Sequence, residues 1–422
     1  MRDACVDGMK TRVWTQRHSH ALAHGATLPR PRSAVQNRRA LPQHIMPASL
    51  SPNITSVQRA LPRAVLLAAL LLLSGCGSLG YYLQAAAGQF EIWQRQRSIE
   101  QLLAAHDTPA PLRAKLELVE RARHFAAARL ALPDHGSYHS YADLGRDYVV
   151  WNVFAAPELS LTPLTTCYPL IGCLDYRGFF SPARAHLHAA TLEVRGYDTF
   201  VGGVAAYSTL GWLNDPVLNT VLRRRDIHLV DIIFHELSHQ RLYIAGDTTF
   251  NESFAMAVAR AGVALWLADD ATALARYRAE QAREAAFIAL VRDYSQRLAS
   301  AYAAPVSDAR KRADKDALFS ALHARYLELK AQWGGDDAYD AWMDSDLNNA
   351  KLASLAAYHD EVDYFLNLLA RCEQDFPRFY GVVERLGKLA PARRLQCLHS
   401  LGGSVAPNAD CAAALCDAAL CD

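Results

Sequence analysis

The sequence predicts a predominantly helical α+β fold, and three observations support that class. Apolar residues recur at helical spacing through most of the second half of the chain. One stretch before it, residues 191–210, combines β-branched and aromatic residues with glycines, which indicates a small sheet. Hydrophobic residues make up 51% of the 422 positions, enough for a substantial core.

The elements follow in order along the mature chain. Apolar spacing predicts one helix over residues 81–103 and a second over 112–125, with two prolines between them. Residues 138–180 are rich in aromatic residues and prolines, and we interpret them as irregular. Residues 191–210 predict one or two strands. After Asp226 helices dominate, with one over the segment HELSH, one starting near Phe250 and long ones over 272–302, 308–333 and 338–370.

The first 45 residues differ in composition from the rest. They are rich in Arg, His, Pro and Gln and contain no acidic residue after Asp7, so residues 1–45 are predicted to be disordered. Two explanations stay open. An upstream start could have been assigned to a gene whose product begins at Met46, or the segment is a genuine basic N-terminal arm.

Residues 46–75 have the order of a secretory signal. Arg59 and Arg63 precede an apolar run over Ala64–Leu73, and small residues lead to Cys76. The run is shorter than the roughly 20 residues that a transmembrane helix needs. The alternative is an ordinary signal peptide with an incidental cysteine.

The segment Leu-Ser-Gly-Cys76 resembles the bacterial lipobox. That resemblance implies lipid attachment at Cys76, cleavage before it, and a membrane partner through the acyl anchor. Gly77 stands where retained inner-membrane lipoproteins often carry Asp. The resemblance therefore implies an outer-membrane lipoprotein of the cell envelope that faces the periplasm.

The nine cysteines fit an oxidising compartment. Cys167 and Cys173 are a candidate disulfide, and Cys372 with Cys397 is a second one. The Cys- and Ala-rich tail, residues 406–422, lacks histidines and zinc-like spacing. A loosely ordered terminus is therefore favoured over a metal site there. Residues 76–405 are predicted to form the functional domain.

The net charge of +1 gives no support to a nucleic-acid partner, which would need a basic patch.

The segment His235-Glu236-Leu-Ser-His239 contains the pattern HExxH. Positions i and i+4 of a helix share a face, so both imidazoles can reach one metal ion. Glu236 lies where it can accept a proton from the water that a zinc hydrolase activates. Because composition alone produces such a motif now and then, a third ligand is needed for a credible site.

Glu252 is the candidate third ligand. It lies thirteen residues after His239, near the start of the next helix, and a helix folded back on the first would direct it at the same metal. The alternative is a first-turn glutamate favoured by the helix dipole. One Zn²⁺ ion is preferred, because two imidazoles and a carboxylate are typical zinc ligands.

The segments HELSHQ and NESFA resemble the HELxHQ and NExFA pair of gluzincin aminopeptidases. The resemblance implies a gluzincin-like zinc peptidase core with a small sheet before the HExxH helix. It implies zinc ligation by His235, His239 and Glu252, and a general base at Glu236. The loop between the two segments is shorter here, and the Gly-x-Met-Glu-Asn segment of those enzymes is missing.

A larger part of the chain is similar to a family of bacterial lipoproteins described as predicted aminopeptidases. The similarity runs from GYYLQAAAGQ through YVVWNVFAAPELSL, CYPLIGCLDYRGFF and AYSTLGWLNDPVLNT to HELSHQRLYIAGDTTFNESFA.

Ala205–Gly211 precedes the metal helix, where gluzincins place an edge strand beside bound peptide. Pairing with substrate and a plain core strand both remain open for it. Asn251 and Asp247 are candidates for orienting the histidines, although Asp247 could instead cap the second helix. An oxyanion stabiliser is also expected. The candidates are Tyr207, Tyr176, Arg177 and Tyr358.

The sequence thus predicts a zinc metallopeptidase, an aminopeptidase by resemblance, that acts on peptides in the envelope. The alternative is a non-catalytic envelope lipoprotein with a structural metal site. Glu236 argues against the alternative, because a structural site needs no base and is closed by four protein ligands. Hydrolysis of another amide, such as one in cell-wall peptides, stays open.

Overall fold

The computed structural model describes residues 80–403 and 411, except 135, 169–171, 207–208, 210–212 and 357–360. Residues from 85 onwards belong to one compact unit. Of the second unit, Arg17–Gln84, only residues 80–84 are described. The expected signal segment and Cys76 lie outside the described residues. None of the helices in the described part is long and apolar enough to cross a membrane.

The chain begins with helices, as predicted, but the first of them is interrupted. Helix α1 covers 80–94, strand β1 covers Gln96–Ser98 and helix α2 covers Ile99–Ala104. A single helix over 81–103 is therefore wrong, because residues 96–98 pair antiparallel with β2, Ser140–Ala142. Ser98 caps α2 with its side chain. Helix α3, Ala110–Leu130, extends the second predicted helix at both ends.

A three-stranded antiparallel sheet has β3, Val150–Pro157, at its centre. Its neighbours are β6, Arg177–Phe179, and β7, Tyr197–Val204. The irregular interpretation of 138–180 is wrong here. Most residues of β3 are buried, so the strand lacks the polar–apolar alternation that marks a half-exposed strand.

The remaining strands are short and also precede the motif helix. In chain order they are β4 (Thr166–Tyr168), β5 (Gly172–Leu174) and β8 (Val217–Leu218). Strand β8 pairs parallel to β2. Helix α4, Pro182–Glu193, contains the start of the stretch predicted as strand, and the chain becomes extended only after Gly196, which has φ +83°. That stretch therefore supplies one strand within the described residues, β7.

Helices fill the second half. They are α5 (Asn219–Leu222), α6 (Asp226–Arg241), α7 (Thr248–Trp266), α8 (Ala271–Ala303), α9 (Asp308–Gln332), α10 (Asp340–Met343), α11 (Asn349–Ala356), α12 (Val362–Arg371), α13 (Phe376–Gly387) and α14 (Pro391–Gly402). The predicted helices over 272–302 and 308–333 are confirmed. The third, over 338–370, is wrong. Polar side chains in the segment after Met343 hydrogen-bond to nearby backbone groups, and the side-chain amide oxygen of Asn348, Oδ1, accepts from the N–H of Lys351 at 3.0 Å.

Two hydrophobic cores organise this unit. The larger one holds α6 and α7 together with α3, α12 and α13, and includes Phe234, Phe254 and Phe379. The smaller one lies between α8, α9, α10 and α11, with Phe287 and Trp342 among its members. The predominantly helical α+β class is thus confirmed, and the larger core is the one that carries the motif helix.

Two disulfides are present among the described residues. Cys167 pairs with Cys173, as the sequence suggested. Cys397 pairs with Cys411, so the alternative pairing with Cys372 is wrong, and Cys372 is a buried free thiol. The second disulfide fastens the start of the C-terminal tail to α14, while the rest of that tail lies outside the described residues.

Candidate metal centre

Helix α6 is fixed in the core by the apolar residues around the motif. Leu229, Val230, Ile233, Phe234 and Leu237 are each 1% exposed or less. They occupy positions spaced by three or four residues along α6, which is the pattern of a helix with one buried stripe. The opposite side of the helix is thereby left to carry His235 and Glu236, which are only partly buried.

Helix α7 returns against α6 after a short turn that contains Gly246, whose φ is +79°. Glycine takes this left-handed conformation without the steric cost of a side chain. The Asp247 carboxylate then caps α7 by accepting a hydrogen bond from the N–H of Phe250 at 3.2 Å. This geometry places Glu252 in the first turns of α7, facing α6.

The three candidate ligands converge. The Nε2 atoms of His235 and His239 are 3.1 Å apart. One oxygen of Glu252 lies 3.3 Å from His235 Nε2, and the other lies 3.6 Å from His239 Nε2. Within the described part of the chain, these three residues form the group that could hold a metal ion.

These distances fit zinc. Two donor atoms that are each about 2.0 Å from a tetrahedral ion are about 3.3 Å apart. Burial lowers the pKa of His239 to about 4, so its imidazole is neutral at neutral pH and its contact with Glu252 is not an ion pair. A neutral imidazole is the form that ligates a metal. The donor set therefore fits one tetrahedral cation with a position to spare.

Solvent reaches the cluster from one side. The side chain of His239 is 6% exposed, whereas those of His235 and Glu252 are 18% and 22% exposed. A structural zinc site is usually closed by four protein ligands, whereas a catalytic site keeps one position open. With three candidate ligands and partial exposure, the arrangement resembles a catalytic site more than a structural one.

Glu236 lies beside this group in a poorly solvated position. Burial raises the pKa of its carboxyl group to about 7, partly offset by an electrostatic contribution from His235 and reinforced by the negative charges of Glu252 and Asp215. A carboxylate with a pKa near neutrality can both take up and release a proton at working pH. The chain therefore offers a candidate base next to the three candidate metal ligands.

Asn251 and Asp247 support the turn and do not hydrogen-bond the histidines in any contact of the described residues. Asn251 accepts a hydrogen bond from the N–H of Ile244 at 2.8 Å and donates one to its carbonyl at 2.7 Å. Asp247 caps α7 and accepts a hydrogen bond from Arg394 at 2.5 Å. All four side-chain polar atoms are thus engaged in holding the turn that delivers Glu252.

Two of the other sequence-derived candidates are described, and each contacts an aromatic side chain. Tyr176 packs against Phe154 with ring centroids 5.4 Å apart, and the Arg177 guanidinium lies 5.7 Å from the ring centroid of Phe179. Tyr207 and Tyr358 lie outside the described residues. Strand β7 ends at Val204, and most of the expected edge strand after it is likewise outside the described part.

Three residues near the site escaped the sequence analysis. The negative charge of Glu252 adds to the burial that raises the pKa of Tyr243, which places this phenol near the ligand. Tyr138 and Glu236 line the same small cavity. Asp215 is 2% exposed and acts on the pKa of Glu236. No motif surrounds these residues, and only the spacing of Tyr243, four residues after His239, could have pointed to one of them.

A protein-family model described as "Putative aminopeptidase" matches residues 80–398, which is most of the chain and includes every residue of the candidate centre. Neither the curated proteins nor the solved structures give a significant match. The family model covers more than half of the sequence, and the chain belongs to this aminopeptidase family.

Proposed function

We propose that this protein is a zinc-dependent aminopeptidase that hydrolyses peptide bonds in the cell envelope. The observation that carries the proposal is the convergence of two imidazole nitrogens and a carboxylate, 3.1 to 3.6 Å from one another, beside a partly buried glutamate. Family membership supports peptides as substrates. The expected lipid on Cys76 would hold the protein at the outer membrane, facing the periplasm.

In this proposal, three residues bind the metal ion and a fourth transfers the proton. His235, His239 and Glu252 would hold the ion, and zinc in such a site supplies Lewis acidity that activates water and polarises a carbonyl. Glu236 takes a proton from the attacking water while the water oxygen bonds to the scissile carbonyl carbon. When the C–N bond breaks, Glu236 returns that proton to the leaving amine.

A structural metal site is the competing function, and two features argue against it. The ligand side chains are partly exposed on one side. A glutamate whose carboxyl pKa is raised to about 7 also adjoins the ligands, where a structural site has no use for it.

The proposal is tested with the purified protein and its Glu236→Gln variant. Zinc content would be measured for both, and cleavage would be followed on peptide libraries with free and with acetylated N-termini. We expect equal zinc in both proteins and cleavage of free-amine peptides by the wild type alone. Glu384→Gln, at a surface ion pair with Arg241, is the matched control and should cleave like the wild type.

The outcomes separate the alternatives. Equal zinc without cleavage by the wild type would favour the structural site, and equal cleavage of acetylated peptides would rule out the aminopeptidase. Absence of zinc after resupply would contradict the proposal as a whole. Lipid attachment is tested separately by labelling with a radioactive fatty acid, which Cys76→Ser should abolish together with recovery in the membrane fraction.

A further inference from the structure

Tyr138 has an unusual backbone conformation close to the candidate centre. Its φ of +64° lies in the left-handed region, which non-glycine residues adopt only at a steric cost. Its N–H donates a hydrogen bond to the carbonyl of Asp215 at 2.7 Å, and the N–H of Asp215 donates one to Ser137 Oγ at 3.1 Å. This pair of hydrogen bonds holds residues 137–138 against the segment just before strand β8.

Asp215 is itself held firmly. Its carboxylate accepts hydrogen bonds from the backbone N–H of Thr209 at 2.8 Å and from the Thr209 hydroxyl at 2.9 Å. Asp215 is 2% exposed, so its carboxylate is largely shielded from competing water. The strained conformation of Tyr138 is therefore imposed by a buried support that extends from Thr209 through Asp215.

That support directs Tyr138 to a cavity shared with Glu236. The cavity has a volume of about 20 Å³. Among its described lining residues, Tyr138 and Glu236 carry the polar side-chain atoms, and the others are apolar. A cavity needs roughly 10–15 Å³ of such space to hold one water, and that water needs at least two polar partners. The cavity therefore has room for one water, and its lining includes two polar side chains that could be its partners.

The phenol oxygen of Tyr138 is buried and has no hydrogen-bond partner among the described residues. A buried hydroxyl left in this state is unfavourable, because it has lost its hydrogen bonds to water without replacement. Burial raises the pKa of Tyr138 well above its usual range, and the charges of Glu236 and Asp215 raise it further, so the hydroxyl keeps its proton and is a donor. The residues that carry this donor and a carboxylate thus line the same one-water space, and the effect of Glu236 on the pKa of Tyr138 indicates that the two groups are close.

We propose that Tyr138 is a positioning residue for Glu236. Its hydroxyl donates a hydrogen bond to a single water in the cavity, and that water donates one to the Glu236 carboxylate. The bridge restricts the rotation of the carboxylate and keeps it directed at the metal side of helix α6. Because Glu236 is the base of the proposed peptidase, the catalytic consequence rests on that function, whereas the bridge itself does not.

Tyr138→Phe removes the hydroxyl and keeps the ring, so the core packing is retained. We expect kcat to fall by about 10-fold, as is typical when a hydrogen bond that orients a metal-site residue is lost, with KM and zinc content unchanged. Tyr141→Phe is the matched control. Tyr141 is also buried, at 9% exposure, but it does not line the cavity, so its variant should keep the wild-type kcat.

High-resolution crystal structures of the full wild-type chain and of Tyr138→Phe provide a readout that does not depend on activity. We expect a water within hydrogen-bond distance of both Tyr138 Oη and the Glu236 carboxylate, and its loss in the variant. A dry wild-type cavity, a Tyr138 hydroxyl bonded elsewhere, or an unchanged kcat in the variant would overturn the proposal. A bridging water in a protein that cleaves no peptide would support the bridge and contradict the peptidase.

Discussion

Asn349 in helix α11 and His239 in helix α6 are both buried polar residues, with exposures of 0% and 6%. Asn349 accepts a hydrogen bond from the Tyr302 hydroxyl at 2.8 Å and donates to the carbonyls of Pro157 and Glu158 at 3.1 and 2.8 Å. His239 instead points Nε2 at another imidazole nitrogen 3.1 Å away. The hydrogen bonds of Asn349 join α8 and α11 to strand β3 and the residue after it. Helices α6 and α7 instead direct two imidazole nitrogens and a carboxylate at one common point.

The difference agrees with the proposed function, in which α6 and α7 bind the metal ion and the other region supports the fold. Buried polar groups with all partners supplied by the protein add rigidity and a unique packing. Groups whose lone pairs meet one another carry a cost in the protein alone, and a bound cation removes that cost. The convergent donor groups lie on α6 and α7, which we call the metal-binding region. Helices α8, α9 and α11 form the second hydrophobic core, which we call the supporting region.

The largest effect is expected from removing a ligand. His239→Ala deletes one of the three donors, and because a catalytic metal contributes several kcal/mol to catalysis, activity should fall by at least about 100-fold. In the presence of a chelator the variant should unfold at the wild-type temperature, since His239 stabilises only the metal-bound protein. His323→Ala, at a surface histidine with 39% side-chain exposure, is the control.

Zinc titration and thermal unfolding measure the two quantities. Wild-type zinc affinity in His239→Ala would contradict the ligand set. A large loss of stability in the chelated variant would break the contrast between the two regions, because His239 would then be a structural residue like Asn349.

The convergence of the three candidate ligands could be predicted from the sequence because the information is local. His235 and His239 share one face of a helix at any HExxH segment, and Glu252 follows within a single helical hairpin. The helices α8 and α9 could be predicted for a similar reason, since their apolar residues keep one period over many turns.

Other features depend on distant contacts and could not be predicted. Strand β3 is buried on both faces, which removes the alternation that would reveal it. Tyr138 and its support join positions 78 residues apart, as the hydrogen bond between Ser137 and Asp215 shows. Such pairings leave no periodic signal in a single sequence.

Two buried asparagines allow the same substitution in both regions. Asn349→Ala and Asn251→Ala each delete hydrogen bonds that a buried side chain makes to the backbone, at a cost of about 2–3 kcal/mol of unfolding free energy. Only Asn251→Ala should also weaken zinc binding, because Asn251 holds the turn before Glu252 through Ile244. Denaturant unfolding and zinc titration of both variants check this. Weaker zinc binding in Asn349→Ala would show that the two regions are coupled.

The contact between helices α3, α6 and α7 at Gly262 offers a smaller test. A Cβ atom there would lie 2.6 Å from Leu130 Cδ1 and 2.8 Å from Phe234 Cδ2. Both neighbours are fully buried, so Gly262→Ala should cost about 1–3 kcal/mol through overpacking. It should also disturb the metal site, because Phe234 precedes His235.

Gly381→Ala in helix α13 is the matched control for this substitution. Its Cβ would meet only the Arg385 side chain at 3.8 Å, so this variant should gain about 0.5–1 kcal/mol. Calorimetry of both variants measures the difference. Equal stability of the two would contradict close packing at Gly262.

The smallest expected effect is a pH dependence in the supporting region. Lys351 is 0% exposed, and its ammonium group donates to the carbonyls of Trp342 and Ser345 at 2.5 and 3.2 Å. Burial lowers the pKa of Lys351 to about 8, opposed by the charges of Asp346 and Asp344. The unfolded chain, with the usual lysine pKa, therefore binds more protons than the folded chain above pH 8.

The sign of the effect follows from that difference. The buried charge on Lys351 lowers the free energy of unfolding. This destabilisation is fully present below pH 8 and decreases as the pH rises toward the lysine pKa of the unfolded chain. Relative to Lys351→Met, the wild-type free energy of unfolding should increase by about 1 kcal/mol between pH 8 and 9. Denaturant unfolding of both proteins at each pH measures this, since groups other than Lys351 cancel in the comparison. Equal slopes would mean that the carbonyls around Lys351 keep its pKa at the ordinary value, and that even the most buried charge of the supporting region is fully satisfied.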